Sequence, residues 1–137
     1  MIGGNVPEGW VARPVTAFDT MAGPFYFPPD GRSEVCGFLA EARHGNTRDV
    51  VHGGMLTTAF DFALGTASVD AAGQRHCATV QLNVHFIAAM ALGEFAIIRT
   101  ETIRTTRSLV FLRAVMTVGD RTIATADGVW KILQWRE

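Results

Sequence analysis

The sequence predicts an α+β domain in which an antiparallel β-sheet is wrapped around one long central helix. Three observations predict it. Between Asp49 and Asp70 the only carboxylate is Asp61, and there is no Lys or Arg. Within that stretch Met55, Leu56, Ala59, Phe60, Phe62, Ala63, Leu64 and Ala67 cover nearly every face of a helix from Gly54 to about Ala71, and a helix apolar almost all round belongs inside a core. After Gly73 the period changes to two. Val80, Leu82, Val84 and Phe86 alternate with Gln81, Asn83 and His85, as in a strand with unlike faces. Three more strand-like stretches, Glu94–Arg104, Ser108–Val118 and Arg121–Leu133, follow with turn-length gaps, the last being Gly119-Asp120.

The elements read in order as follows. Residues 1–33 are rich in Gly and Pro (Gly23-Pro24, Pro28-Pro29, Asp30-Gly31), so they form an irregular N-terminal segment with room for a short helix within Val11–Met21. Residues 34–43 alternate loosely and read as a strand, and His44–Val51 as a polar connection. The central helix comes next, then four strands in an antiparallel meander. Ala124, Ala126 and Gly128 share one face of the last strand, where small side chains let a helix lie close. In the strand from Ser108, one face carries Val110, Leu112, Ala114, Met116 and Val118, and the other Leu109, Phe111 and Val115. Apolar residues on both faces point to a second covering surface, such as another subunit.

The 137 residues read as a single domain, 1–137, with enough apolar content to bury a core. A net charge of −1 gives no general attraction to nucleic acid or anionic lipid. All basic residues but Lys131 are arginines, and Arg forks match phosphate groups well. Cys36 and Cys77 are too few for a disulfide framework. No leader-like basic-then-apolar start and no membrane-length apolar run is visible, so the expectation is a soluble, cytoplasmic protein.

Two features bear on chemistry. Asp61 stands alone in an apolar helix, and burying an ionised carboxylate without partners is costly. It is either a structural group, held by Thr57 or Thr58 or paired with an Arg, or a general base or nucleophile in a water-poor pocket. Upstream, His52-Gly53-Gly54 opens the helix. The first amides of a helix lack internal partners, and glycines allow close approach, which suits an oxyanion hole. Asp61 lies nine residues after His52, roughly 13 Å along the axis and half a turn round it. If both act on one carbonyl, they must come from different subunits.

Asn46, His52-Gly53-Gly54 and Asp61 at their linked spacing, followed by Thr79 at the start of an alternating strand, resemble the phenylacetate-degradation (PaaI-type) branch of the hot-dog thioesterases over most of the chain. The resemblance implies a sheet wrapped around a central helix, paired into dimers and often into tetramers as dimers of dimers. It implies an acyl-CoA substrate, with coenzyme A arriving as part of the substrate and no separate cofactor. Asp61 would activate water or attack the thioester carbon. The Gly53 or Gly54 amide would polarise the carbonyl, Asn46 and His52 would line the other side, and Thr79 would orient water. Arg104, Arg107 and Ser108 fall where the family grips coenzyme A phosphates, although its usual Gly is absent here. Phe60, Leu64, Phe86 and N-terminal residues are expected to form the acyl pocket.

Other readings are weaker. A non-catalytic acyl-CoA-binding module would not need Asp61. A hydratase would place Asp and His a few residues apart, whereas the first His after Asp61 is His76. His44, His76 and His85 share no metal-ligand spacing with the cysteines. Ser68 and Ser108 lack a nucleophile-elbow context, and no phosphate-binding Gly loop is present. Trp10, Trp130 and Trp135 read as packing or interface residues.

Overall fold

The structure, a computed structural model, describes residues 5–134; Trp135 lies outside them. One helix, α2 (Gly53–Ala71), lies against a seven-stranded antiparallel sheet formed by β1 (Val11–Ala12), β2 (Tyr26–Phe27), β3 (Val35–Leu39), β4 (Cys77–Phe86), β5 (Phe95–Thr105), β6 (Leu109–Val118) and β7 (Arg121–Ile132). The spatial order is β1-β2-β3-β5-β6-β7-β4. This is the expected α+β architecture, with α2 touching β3, β4, β5, β6 and β7 in turn. Among the described residues, no helix is long and apolar enough to cross a membrane.

The period-two pattern maps onto burial. In β6, Val110, Leu112, Ala114 and Met116 are buried, while Arg113 and Val115 on the other face are exposed. On β7, Ala124 and Ala126 lie in the same core. Gly128 serves a different purpose from the one expected, because a Cβ there would stand 2.4 Å from the Gln81 carbonyl oxygen and 2.6 Å from the Trp130 ring. It makes room for Trp130 and the neighbouring strand rather than for the helix.

Three expectations need correction. The short N-terminal helix is confined to α1 (Phe18–Ala22), and Val11–Ala12 pairs with Tyr26–Phe27 instead. Pro14 biases the residue before it away from helix, so the turn starts only after it. The strand expected over 34–43 ends at Leu39, and Ala42–His44 forms a 3-10 turn. The meander has three strands, not four: β4 sits beyond β7 at the sheet edge. The amides of Ile87 and Ala88 both donate to the Ile123 carbonyl, and Met90 then accepts from Val51. Those bonds carry the chain from the β7 side past the start of α2 before β5 begins beside β3.

Candidate active site

The helix is apolar all round in sequence, yet only part of it is covered. Met55, Leu56, Ala59, Phe60, Ala63, Leu64 and Ala67 are buried, whereas Gly54 and Asp61 are exposed and Thr58 and Gly65 are half-buried. These four recur at i, i+4, i+7 and i+11, which is one face. Asp61 is therefore not sealed in a core, contrary to the expectation from its apolar neighbours. The sheet covers one side of α2 and leaves this stripe open.

Asp61 is held from the sheet. Thr79 Oγ1 donates to Asp61 Oδ1 at 2.7 Å, the short distance usual for a hydroxyl on a carboxylate. Asp61 Oδ2 has no hydrogen-bond partner among the described residues. The two residues share a depression of about 270 Å³ with Asp19, Phe62, Cys77 and Trp130. Phe62 is fixed from behind by Phe25, the rings stacked 4.1 Å apart. Neither Thr57 nor Thr58 holds Asp61, since their hydroxyls donate to the Gly53 and Gly54 carbonyls.

The entrance of α2 makes a second constellation. His52 is the N-cap, and its Nδ1 accepts from the Gly54 amide at 2.8 Å. That bond requires a lone pair on Nδ1, so the ring proton resides on Nε2. Met55 and Leu56 amides both donate to the His52 carbonyl. In the first turn, the amide left without a partner among the described residues is Gly53 N–H. The Gly54 amide is consumed by the cap, which narrows the sequence-based alternative to Gly53. Asn46 stands upstream, its Oδ1 accepting from the amides of Arg48 (2.8 Å) and Val50 (3.4 Å). With Oδ1 occupied in that turn, Nδ2 is the end left to donate elsewhere.

The two constellations are apart within one chain. The depression beside His52 and Gly54 shares no lining residue with the one around Asp61, and eight residues of helix separate Gly53 from Asp61, about 12 Å. Phe86 approaches the helix start, its ring 3.4 Å from where a Gly53 Cβ would lie. Phe60 and Leu64 do not join it. Both are 0% exposed in the core, because they lie on the sheet-facing side of α2. They are corrected from pocket walls to core.

The Arg104-to-Ser108 hairpin sits at the Thr79 end of the sheet. Thr79 pairs with Trp130, Trp130 with Val110, and Val110 with Thr105, a row of three strand spacings, roughly 14 Å. Arg104 lies opposite Phe111 and Lys131 opposite Leu109. Neither Arg104 nor Arg107 has a side-chain partner among the described residues, unlike Arg113 and Arg121, which pair with Glu101 and Glu94.

Sequence reading missed Asp19, Cys77 and Trp130 around Asp61, and Phe18 and Met21 around His52. No periodicity marks the first 33 residues, so nothing linked Asp19 to Asp61. Burial, and then the charge of Asp61, push the Asp19 carboxyl above its ordinary value. Burial also pushes the Cys36 thiol up to about 12, which leaves it without thiolate character. No three His, Cys, Asp or Glu among the described residues come together as a metal site.

Residues 49–125, more than half of the chain, match the model of the thioesterase superfamily. The chain belongs to that superfamily. The match spans the entrance of α2, Asp61, Thr79 and the arginine hairpin. A protein of Pseudomonas aeruginosa named "Putative esterase PA0474" is 28% identical over 132 residues, 93% of this chain and 98% of that one. Solved structures of the hot-dog thioesterases share the fold. A mutant form of the phenylacetic acid degradation protein PaaI from Thermus thermophilus matches with a TM-score of 0.67 at 18% identity, over 72% of this chain and 84% of that one. BH2602 protein from Bacillus halodurans, solved with CoA, matches with a TM-score of 0.68 at 20% identity, over 76% of this chain and 69% of that one.

Proposed function

We propose that this superfamily member is a PaaI-type acyl-CoA thioesterase whose active site is completed between two copies of the chain. The observation that carries the reading is the split between the Asp61–Thr79 pair and the free Gly53 amide with its His52 cap. Each half holds part of a thioesterase, and the halves lie at different points on one helix. A second copy can supply the missing half. Strand β4 supports this, since it is paired on one side only and exposes Val80 (60%) and Phe86 (57%), with Ile87 (58%) just beyond. A ten-residue apolar edge is a ready partner for another strand. Further association into a dimer of dimers is consistent with the apolar outer face of β6.

In this reading Asp61 Oδ2 takes a proton from water as the water oxygen bonds to the thioester carbon. Thr79 occupies Oδ1 and keeps Oδ2 turned to its work. Charge that develops on the carbonyl oxygen is met by Gly53 N–H from the partner subunit. The C–S bond then breaks, and the leaving sulfur receives the proton that Asp61 took from water, while His52 Nε2–H steadies the sulfur's charge with a hydrogen bond. A carboxylic acid and free coenzyme A result. The unpaired Arg104 and Arg107 with Ser108 meet the coenzyme's phosphates, a role that the CoA in the Bacillus halodurans relative makes reasonable. No separate cofactor is needed.

One experiment tests both chemistry and assembly. Asp61→Asn should lower kcat by about 10²–10⁴, the range for a positioned general base, with the melting temperature nearly unchanged because Asp61 is exposed. Mixing unfolded Asp61→Asn and His52→Ala chains and refolding them together should restore about a quarter of wild-type activity, since half of random dimers then hold one intact site of two. No restoration would place the site within one chain. An active Asp61→Asn variant would end the mechanism.

A further inference from the structure

The depression beside the start of α2 has a volume of about 430 Å³. That is near the lower end of small-molecule pockets, about 300–1,000 Å³, and fits an acyl group rather than a whole acyl-CoA. Its walls include Phe18, Met21, Ala22 and Met55, beside His52 and Gly54. Phe18 is 62% and Met21 73% exposed, so a five-residue helix presents two large apolar side chains at the rim of a cavity. The helix is firmly held. The Arg43 guanidinium donates to the Met21 and Gly23 carbonyls, and His44 Nε2 donates to the Ala22 carbonyl at 2.6 Å.

Those bonds also decide what the cavity can recognise. Arg43 is further paired with Glu41 at 2.8 Å. His44 is committed at both nitrogens, Nδ1 accepting from the Glu41 amide at 3.0 Å. Arg43 and His44 are therefore already spoken for, and His52, whose Nδ1 accepts the Gly54 amide, offers a hydrogen bond from Nε2–H rather than a counter-charge, so a carboxylate entering this depression would lose water without gaining a counter-charge. The other depression suits an apolar chain less well, because it holds both Asp19 and Asp61, whose hydration the chain would remove.

We infer that the acyl group of the thioester lies in the depression between α1 and the start of α2, that this group is uncharged and apolar, and that Phe18 and Met21 pack along its chain. The inference rests on the reading above, in which the thioester carbonyl meets the Gly53 amide. The test compares kcat/KM for acetyl-, hexanoyl- and succinyl-CoA in the wild-type protein and in Phe18→Ala, Met21→Ala and Val69→Phe, the last narrowing the Asp61 depression instead. Hexanoyl-CoA should exceed succinyl-CoA by on the order of 100-fold in the wild type. Phe18→Ala and Met21→Ala should each lower hexanoyl-CoA turnover about tenfold and leave acetyl-CoA within about twofold, while Val69→Phe should leave the hexanoyl-to-acetyl ratio alone. Succinyl-CoA equal to hexanoyl-CoA, or a ratio that follows Val69 and not Phe18 and Met21, would overturn the inference and leave the thioesterase reading standing. A wild-type protein inactive on all three thioesters would overturn both.

Discussion

His52 has two separable jobs, and two substitutions pull them apart. It caps α2 through Nδ1, which accepts the Gly54 amide at 2.8 Å, and in the proposed mechanism it offers Nε2–H to the reacting group. His52→Ala removes both. Loss of an N-cap acceptor costs about 0.5–2 kcal/mol. At roughly 2.1 cal/mol/K of unfolding entropy per residue, a chain of this length loses about 3–4 °C of Tm per kcal/mol, so the expected fall is about 2–7 °C. His52→Asn keeps a strong cap acceptor, and its Tm should stay within about 2 °C of wild type. Neither variant has the Nε2–H donor, and kcat/KM should drop about 10²-fold in both, in line with loss of one donor at a developing charge. Calorimetric melting at a fixed protein concentration, which an oligomer requires, and free-thiol release on an acyl-CoA are the two assays. Full activity in His52→Asn would reduce the histidine to a cap. An unchanged Tm in His52→Ala would show that the cap contributes nothing.

Further expectations follow from single contacts. Thr79→Val removes the 2.7 Å bond to Asp61 and should cost about 10- to 100-fold in kcat through loss of orientation, with Thr79→Ser restoring it; equal activity in both would remove Thr79 from the mechanism. His44 is buried, and loss of solvation lowers its pKa below the ordinary 6.5, partly opposed by its bond to the Ala22 carbonyl. Below pH 6.5 the unfolded chain therefore binds a proton that the folded one resists, so stability falls as pH drops, by at most about 1.4 kcal/mol per unit from this group; denaturant melts from pH 7.5 to 5 should show a flatter pH dependence in His44→Gln. Asp19 has the opposite sign: its raised pKa means that stability is lost as pH rises above 3.8. Asp19→Asn should raise Tm at pH 7 more than at pH 3.5, because burial and then the charge of Asp61 disfavour its ionised form, and an equal change at both would dismiss that raised pKa.

The sequence alone was enough for the fold class, because between Asp49 and Asp70 α2 is a long apolar run with no carboxylate but Asp61 and no Lys or Arg, and the strands from Cys77 onward are long enough for alternation to show through. It was enough to single out Asp61, since one carboxylate in a run of Met, Leu, Ala and Phe is conspicuous without coordinates. It also placed His52 and Asp61 too far apart to meet, because helix rise is fixed by backbone geometry. What it misjudged depended on contacts between distant segments. Asp61 reads as buried until the sheet is seen to cover only one side of α2, and Phe60 and Leu64 read as pocket walls until they face that sheet. Strand β4 reads as the first strand of a meander until β7 takes its place beside β6. Short β1 and β2 have two residues each, too few for any period, and exist because β1 pairs with β2 and β2 with β3. The joining of Asp19 to Asp61, and of Phe18 and Met21 to His52, was likewise decided by tertiary structure. Arg43 and His44 clasp three successive carbonyls of α1 and its C-cap, and no local propensity records where a carbonyl will find its donor.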